Sequence, residues 1–92
     1  MLDRIFLQLY ITSGTSNSEL ALQYLHDVMQ SLDDDRYVLE VIDLRKEPLL
    51  ALQDGIVAAP TLQLNHGTFT SRITGNLSQT SQLKSFLSRS SP

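Results

Sequence analysis

The sequence predicts one α/β domain whose seven elements follow the order β-α-β-α-β-β-α. The first half is a strand, a helix and a strand, and in such a unit the two strands lie parallel because the chain must cross over between them. The second half has a short helix closed by Gly55 and, beyond Pro60, two alternating segments joined by turn residues, which indicate an antiparallel hairpin. These observations favour a mixed four-stranded sheet flanked by helices on both faces.

The first strand and the first helix have the most regular patterns. Residues 4–11 are almost continuously apolar, which is typical of a central strand buried on both faces. Ser16 and Glu19 match a capping box, so the helix is predicted to begin there. Three aspartates, residues 33–35, oppose the helix dipole and mark the next loop. The predicted inward face of the helix consists of Ala21, Leu22, Leu25, Val28, Met29 and Leu32.

A second strand is predicted over residues 37–44, which are rich in β-branched and apolar side chains. In the expected sheet this strand lies near an edge, where unpaired backbone groups can recruit another chain. Pro48 suits the first turn of a short helix that includes residues 49–52 and that Gly55 ends. Residues 56–57, Ile-Val, are expected to return the chain toward the core.

The segment that follows combines a proline, two strands and a turn. Pro60 lacks an N–H group and restricts its predecessor to extended geometry, so no helix continues through it. Residues 61–64 alternate polar and apolar and predict a strand, and residues 69–73 predict the returning strand. The residues Asn-His-Gly at 65–67 predict the turn between them.

The C-terminal part is predicted to be a helix followed by a frayed tail. Gly75 breaks the last strand, residues 77–87 form the helix, and residues 88–92 form the tail. The inward face of this helix is expected to contain Leu83, Phe86 and Leu87. All residues, 1–92, therefore form one domain.

Composition excludes several function classes. The net charge of −3, with scattered basic residues, excludes a nucleic-acid platform, which needs clustered Lys and Arg. No apolar run approaches the roughly 20 residues that span a bilayer, and no signal peptide is recognisable, so we expect a cytoplasmic protein without a membrane partner. The chain contains no cysteine, which excludes disulfides, thiolate metal sites and thiol redox chemistry.

No catalytic or metal-binding constellation is visible, and no cofactor is predicted. Residues 12–18 offer only hydroxyl and amide groups, and neither His26 nor His66 is spaced to activate a serine there. The acidic run at 33–35 lacks the spacing of a calcium loop. The hydroxyl groups at the start of the first helix suit an anion, but helix capping explains the same residues. The sequence therefore favours a protein that offers a binding surface.

The junction around Pro60 resembles that of thioredoxin-fold proteins. A helix ending in Gly55 precedes Ile-Val-x-x-Pro-Thr-Leu at residues 56–62 and an Asn-x-Gly turn. In that fold the proline is cis and faces the loop after the first strand, which carries Cys-x-x-Cys in the catalytic members. The resemblance implies a thioredoxin-like fold with a cis Pro60 that has lost its thiol chemistry.

Three blocks of sequence carry a more specific resemblance. Residues 41–50 read Val-Ile-Asp-Leu-x-Lys-x-Pro-x-Leu, residues 59–62 read Ala-Pro-Thr-Leu, and residues 72–78 read Arg-Ile-x-Gly-Asn-Leu-Ser. Together with residues 9–25 they resemble the KaiB family, the small proteins of the cyanobacterial circadian clock. A related sensor domain lies at the N-terminus of the clock histidine kinase SasA. The resemblance extends over residues 5 to about 87.

The resemblance implies a partner and a contact region, and no enzyme activity. It implies docking on the ring of a KaiC-type hexameric ATPase, in circadian-type or stress signalling, with a histidine kinase or a KaiA-like protein as further partners. The alternatives are a sensor domain of a SasA-type kinase and a thiol-less thioredoxin-like adaptor with another partner. The implied contact residues are Lys46, Pro48, Asp54 and Gly55, and the implied structural residues are Pro60 and Gly75.

The resemblance also implies a possible second fold and homo-oligomer. KaiB proteins can adopt a tetramer-forming β-α-β-β-α-α-β state, in which residues 46–54 and 69–87 change secondary structure. Here the alternation over residues 69–73 and the helical spacing of Leu83, Phe86 and Leu87 favour the thioredoxin-like state.

Overall fold

The computed structural model describes residues 4–32 and 35–75, together with residues 85 and 87. Ser85 and Leu87 are helical; the rest of the predicted last helix and the predicted tail at 88–92 lie outside the described residues. In chain order the elements are β1 (Ile5–Ile11), α1 (Ser16–Leu32), β2 (Tyr37–Asp43), α2 (Pro48–Asp54), β3 (Thr61–His66) and β4 (Phe69–Thr74).

The four strands form one mixed sheet in the order β2-β1-β3-β4. β1 pairs with β2 in parallel and with β3 antiparallel, and β3 pairs antiparallel with β4. The predictions of a parallel βαβ unit, an interior first strand and an edge position for the second strand are confirmed. Because Phe69–Thr74 is a strand, the chain has the thioredoxin-like order rather than the alternative KaiB order.

One face of the sheet packs against α1 and holds the hydrophobic core. Alternate side chains of β1 point to this face, as a strand's two-residue period requires. They meet the apolar stripe of α1, and the stripe predicted from sequence is largely confirmed, although the side chain of Leu32 lies outside the described part. The buried cluster consists of Ile5, Leu7, Leu9, Ile11, Ala21, Leu25, Val28, Leu62, Leu64 and Leu87.

The other face of the sheet is only partly covered, which corrects the prediction that β1 is buried on both faces. Phe6 is 48% exposed, and Gln8 is half-buried. Further along the same face Tyr10 and Ile42 are buried. Burial on this face is therefore confined to the end of the sheet near α2. The apolar sequence of β1 could not show this, because it does not indicate how much of the strand a short helix elsewhere in the chain covers.

The start of α1 differs by one residue from the predicted capping box. The N–H of Glu19 donates to the carbonyl oxygen of Thr15 at 3.1 Å, which makes Thr15 the N-cap. Ser16 is the first helical residue, as predicted. Within residues 4–32 and 35–75, no helix is long and apolar enough to cross a membrane.

α2 begins and ends as predicted, but the chain beyond it does not turn inward as expected. Pro48 occupies the first turn, and Gly55 is left-handed, with φ of 68°. The N–H of Ile56 closes the cap on the carbonyl oxygen of Ala51 at 2.9 Å. Val57 is 98% exposed, so the expectation that it packs toward the core is wrong.

The hairpin is longer than the sequence pattern indicated. β3 continues through Asn65 and His66, which the sequence pattern assigns to the turn. The two-residue turn is Gly67-Thr68, and the positive φ of Gly67, 61°, is the geometry that such tight turns require. The turn was predicted too early in the chain because Asn and His can occur either in a turn or at the end of a strand.

Candidate functional site

The loop after β1 and the Ala59–Pro60 junction lie against each other. The Ala59–Pro60 peptide bond is cis, which confirms the expectation from the thioredoxin-like resemblance. The two segments form a shallow, open pocket of about 310 Å³. It is lined by Thr12, Thr15, Ser16, Asn17 and Ala59.

Two hydroxyl groups beside the pocket make hydrogen bonds to the backbone of the loop itself. The Oγ of buried Ser18 accepts the N–H of Thr12 at 3.0 Å, and the Oγ1 of Thr15 donates to the carbonyl oxygen of Thr12 at 2.8 Å. His26 is exposed on α1. His66 ends β3, about 17 Å along the strand from the end that adjoins the pocket. Neither histidine is therefore placed as a base beside these hydroxyl groups.

Side chains that commonly bind metals are not clustered in the part of the chain that the structure describes. No three side chains of His, Asp or Glu type converge among those residues. The absence of cysteine from the full sequence also removes the thiolate ligands that zinc and copper prefer.

Asp43, the last residue of β2, joins the loop after β1 to the turn before α2. One carboxylate oxygen accepts the N–H of Arg45 at 3.0 Å and the N–H of Ser13 at 3.3 Å. The hydrogen bond from Arg45, followed by those from Ser13, holds the pKa of this carboxyl below its usual value. The carbonyl oxygen of Asp43 accepts the N–H groups of Lys46 and Glu47, both at 3.0 Å. Asp43 thus fixes the path by which the chain enters α2.

α2 presents an apolar surface to solvent. None of its residues is buried. Leu49 is 72% exposed, Leu52 is 78% exposed, and Val57 just beyond the helix is 98% exposed. Leu49 and Leu52 are three positions apart and therefore share a face of the helix. We call the set Lys46, Pro48, Leu49, Leu52 and Val57, all exposed, the α2 surface.

The C-terminal end of α2 is tied to the sheet by a buried tyrosine. Tyr10 on β1 is fully buried, and its phenolic OH donates to Oδ2 of Asp54 at 2.7 Å. Burial, and then the hydrogen bond to the Asp54 carboxylate, raise the pKa of Tyr10 well above its usual value. The phenol therefore stays protonated and acts as a permanent donor.

A row of polar side chains crosses all four strands on the same face. Gln8 pairs in register with Glu40 and Gln63, and Gln63 pairs with Arg72. Gln8 donates to Glu40 at 3.3 Å, Gln63 donates to Gln8 at 2.9 Å, and Nε of Arg72 donates to Gln63 at 2.7 Å. We call Glu40, Gln8, Gln63 and Arg72 the polar row.

Arg72 links the end of the polar row to α2. Its Nη2 donates to the carbonyl oxygen of Asp54 at 2.6 Å, and its Nη1 donates to that of Gly55 at 3.3 Å. The last carbonyl groups of a helix have no partner within the helix, so the Arg72 guanidinium supplies the hydrogen-bond donors that these groups of α2 lack. Its positive charge also lies at the negative end of the helix dipole.

The residues implied by the KaiB resemblance fall in two groups. Lys46, Pro48 and Gly55 are exposed, whereas Asp54 is half-buried and its carboxylate is engaged by a tyrosine. The two residues implied to be structural are joined directly, because the N–H of Gly75 donates to the carbonyl oxygen of Pro60 at 3.0 Å.

Sequence reasoning missed the apolar part of the α2 surface and the polar row. Leu49 and Leu52 were predicted only as helix residues, and nothing in the local pattern says that they face solvent. The polar row did leave a signal, since Gln8 and Glu40 each interrupt an otherwise apolar strand and Gln63 is a polar position of the alternating strand β3. Because β1 pairs in parallel with β2 and antiparallel with β3, these three polar residues lie in register with one another.

The architecture is shared with solved structures of low sequence identity. The N-terminal domain of SasA from Synechococcus elongatus superposes with a TM-score of 0.80 at 20% identity, over 98% of this chain and 85% of that chain. Chloroplastic thioredoxin z superposes with a TM-score of 0.82 at 20% identity, over 95% of this chain and 78% of that chain. Fold and pocket therefore define a thioredoxin-fold protein without redox thiols.

The family within this fold is given by sequence. Residues 8–89 match the KaiB domain family model. The circadian clock oscillator protein KaiB of Prochlorococcus marinus strain MIT 9211 is 42% identical over 72 residues, which cover 78% of this chain and 63% of that protein. KaiB of Synechococcus sp. strain CC9311 is 40% identical over 72 residues, with 78% and 60% covered. The chain belongs to the KaiB family and spans less than two thirds of these two relatives.

Proposed function

We propose that this chain is a non-catalytic KaiB-family protein that binds a KaiC-type hexameric ATPase through the α2 surface and thereby modulates clock-type or stress signalling. The names of its relatives, circadian clock oscillator proteins, support a regulatory role. The absence of cysteine supports a role without catalysis, as do the backbone hydrogen bonds that engage the hydroxyl groups of Ser18 and Thr15.

The observation that carries this proposal is the exposure of large apolar side chains on α2. This helix of seven residues buries none of them, and Leu49 and Leu52 are about three quarters exposed, at 72% and 78%. Clustered exposed apolar residues mark interaction sites more often than single ones do. Burying a leucine or valine side chain completely contributes about 1.5–3 kcal/mol, so three of them supply a useful part of a docking free energy.

The proposed contact residues are arranged around this apolar centre. Lys46 and Pro48 lie at the N-terminal end of α2, and Asp54 and Gly55 lie at its C-terminal end. The arrangement of an apolar centre with a polar rim is typical of transient protein interfaces. The neighbouring edge strand β2 extends the same contact region.

The direct test is co-migration in gel filtration with a purified KaiC-type ATPase, in ATP and in ADP. We expect the unaltered chain to co-migrate and the double variant Leu49→Ala/Leu52→Ala to lose most of the complex. Leu20→Ala is the matched control, because Leu20 is a leucine of α1 that is 49% exposed. The proposal is wrong if the unaltered chain fails to co-migrate in every nucleotide state, or if the double variant binds as well as the control.

A second candidate is a sensor domain of a SasA-type histidine kinase. It is favoured by the superposition of the SasA N-terminal domain over 98% of this chain. The open reading frame that contains the sequence distinguishes the two candidates, because a sensor domain would be continuous with a kinase.

A further inference from the structure

α2 has few anchors of its own. It has seven residues and no buried residue, and its N-cap residue, Glu47, makes no side-chain capping hydrogen bond. Helices this short do not persist in water without tertiary support. Leu50 and Ala51 are only half-buried, and the other two leucines of the helix, Leu49 and Leu52, face solvent. Apolar packing therefore holds α2 only in part, and other contacts must add to it.

The C-terminal end of α2 supplies that support through polar contacts. Two backbone carbonyl groups, those of Asp54 and Gly55, accept from the Arg72 guanidinium, and the Asp54 carboxylate accepts from buried Tyr10. Hydrogen bonds to a charged group contribute more than neutral ones, and the forked guanidinium holds two acceptors in a fixed relative position.

The side chain of Arg72 is itself held by a hydrogen bond in the orientation that contacts α2. Its Nε donates to Gln63, which is bonded to Gln8 and through it to Glu40. Glu40 is therefore connected to α2 across the whole width of the sheet. An arginine whose rotamer is already fixed loses less side-chain entropy when α2 is engaged, so the helix is pre-organised for binding.

We propose that Arg72, held by the polar row, is a positioning residue that fixes the C-terminal end of α2 and thereby sets the affinity of the α2 surface for its partner. This rests on the proposed function. Arg72 does not belong to the α2 surface, and its effect on binding passes through the helix.

The test has one arm that needs no partner. Amide hydrogen exchange is measured for Gly55 and Ile56, whose N–H groups close the cap on α2. We expect about tenfold faster exchange of these amides in Arg72→Ala, with amides of β1 unchanged, because the helix loses a charged partner. Arg72→Lys should resemble Arg72→Ala, because a single ammonium cannot replace the fork. Arg4→Ala, which removes an exposed arginine at the far end of β1, is the control.

Tyr10→Phe provides a second variant that keeps the aromatic ring. It removes the hydrogen bond to Asp54 at 2.7 Å and the longer contact with Gln8 at 3.5 Å, and should also speed the exchange of Gly55 and Ile56. If Arg72→Ala fails to fold, Arg72→Lys decides the question, because it keeps the positive charge and loses the forked pair of hydrogen bonds. Unchanged exchange in every folded variant overturns the proposal, whatever the ATPase does.

The second arm measures binding of the KaiC-type ATPase by calorimetry. We expect Arg72→Ala to bind about tenfold more weakly than Arg4→Ala. Faster exchange with unchanged affinity would overturn the link between anchoring and binding. If even the unaltered chain binds no ATPase while exchange rises, the proposed function fails and anchoring by Arg72 stands.

Discussion

Two aspartates accept the hydrogen bonds that position the two ends of α2 and so shape the α2 surface. The carboxylate of Asp43 accepts two backbone N–H groups, from Ser13 and Arg45, and so fixes the entry to α2. The carboxylate of Asp54 accepts from the phenol of Tyr10 and so fixes the exit. A helix without buried residues is thus held at its start by the Asp43 carboxylate and at its end by the Asp54 carboxylate together with the Arg72 guanidinium.

The role of Asp43 predicts a pH dependence. Its pKa in the folded protein lies below the ordinary value of 3.8, so the stability it contributes is complete above that value and is lost as the pH falls through the lowered folded pKa. Asp43→Ala should lower the free energy of unfolding in urea at neutral pH, and the difference from the parent should narrow on acidification through that range. Asp27→Ala removes an exposed carboxylate of α1 as a control. A difference that stays constant down to strongly acid pH would contradict this account.

The contacts of single residues were harder to predict from the sequence than the secondary structure or the fold. A capping pattern at Ser16 and Glu19 gave the right helix start and the wrong cap, since neighbouring hydroxyl residues fit the same pattern. Contacts such as Tyr10 with Asp54 join positions 44 residues apart. Such pairs depend on how the elements pack, and no local sequence signal specifies them.

The two helices use their apolar residues in opposite ways. In α1, Leu25 is fully buried against the sheet, whereas Leu52 of α2 is 78% exposed. Both leucines lie in helices that the sequence predicted correctly. Periodicity identifies a helix and its apolar face, but it does not tell whether that face meets the core or a partner. This is why the fold was predictable and the surface was not.

This contrast predicts a separation of stability from binding. Leu25→Ala should lower the free energy of unfolding by roughly 2–5 kcal/mol, because it leaves a cavity in the core. Leu52→Ala should change it by no more than about 0.5 kcal/mol, as exposed positions usually do. Urea unfolding monitored by circular dichroism measures both. A large loss in Leu52→Ala would mean that this leucine supports the fold rather than a partner.

At the level of the whole molecule, the chain keeps the thioredoxin fold without the thiols of its catalytic members. The cis Ala59–Pro60 bond still faces the loop after β1, yet the pocket between them holds no thiol. The order of elements and the central position of β1 followed from alternation, breakers and crossover rules. The KaiB membership followed from spaced motifs and is now shown by the family model over residues 8–89.

The most direct measurement is a backbone NMR titration of the chain with a KaiC-type ATPase. The account predicts that the signals of residues 46–57 shift or broaden first, together with those of the adjoining β2 edge. Signals at the pocket and on the exposed side of α1, around Leu20, should move little. If the signals of residues 46–57 stayed in place while another surface responded, the α2 surface would not be the docking site.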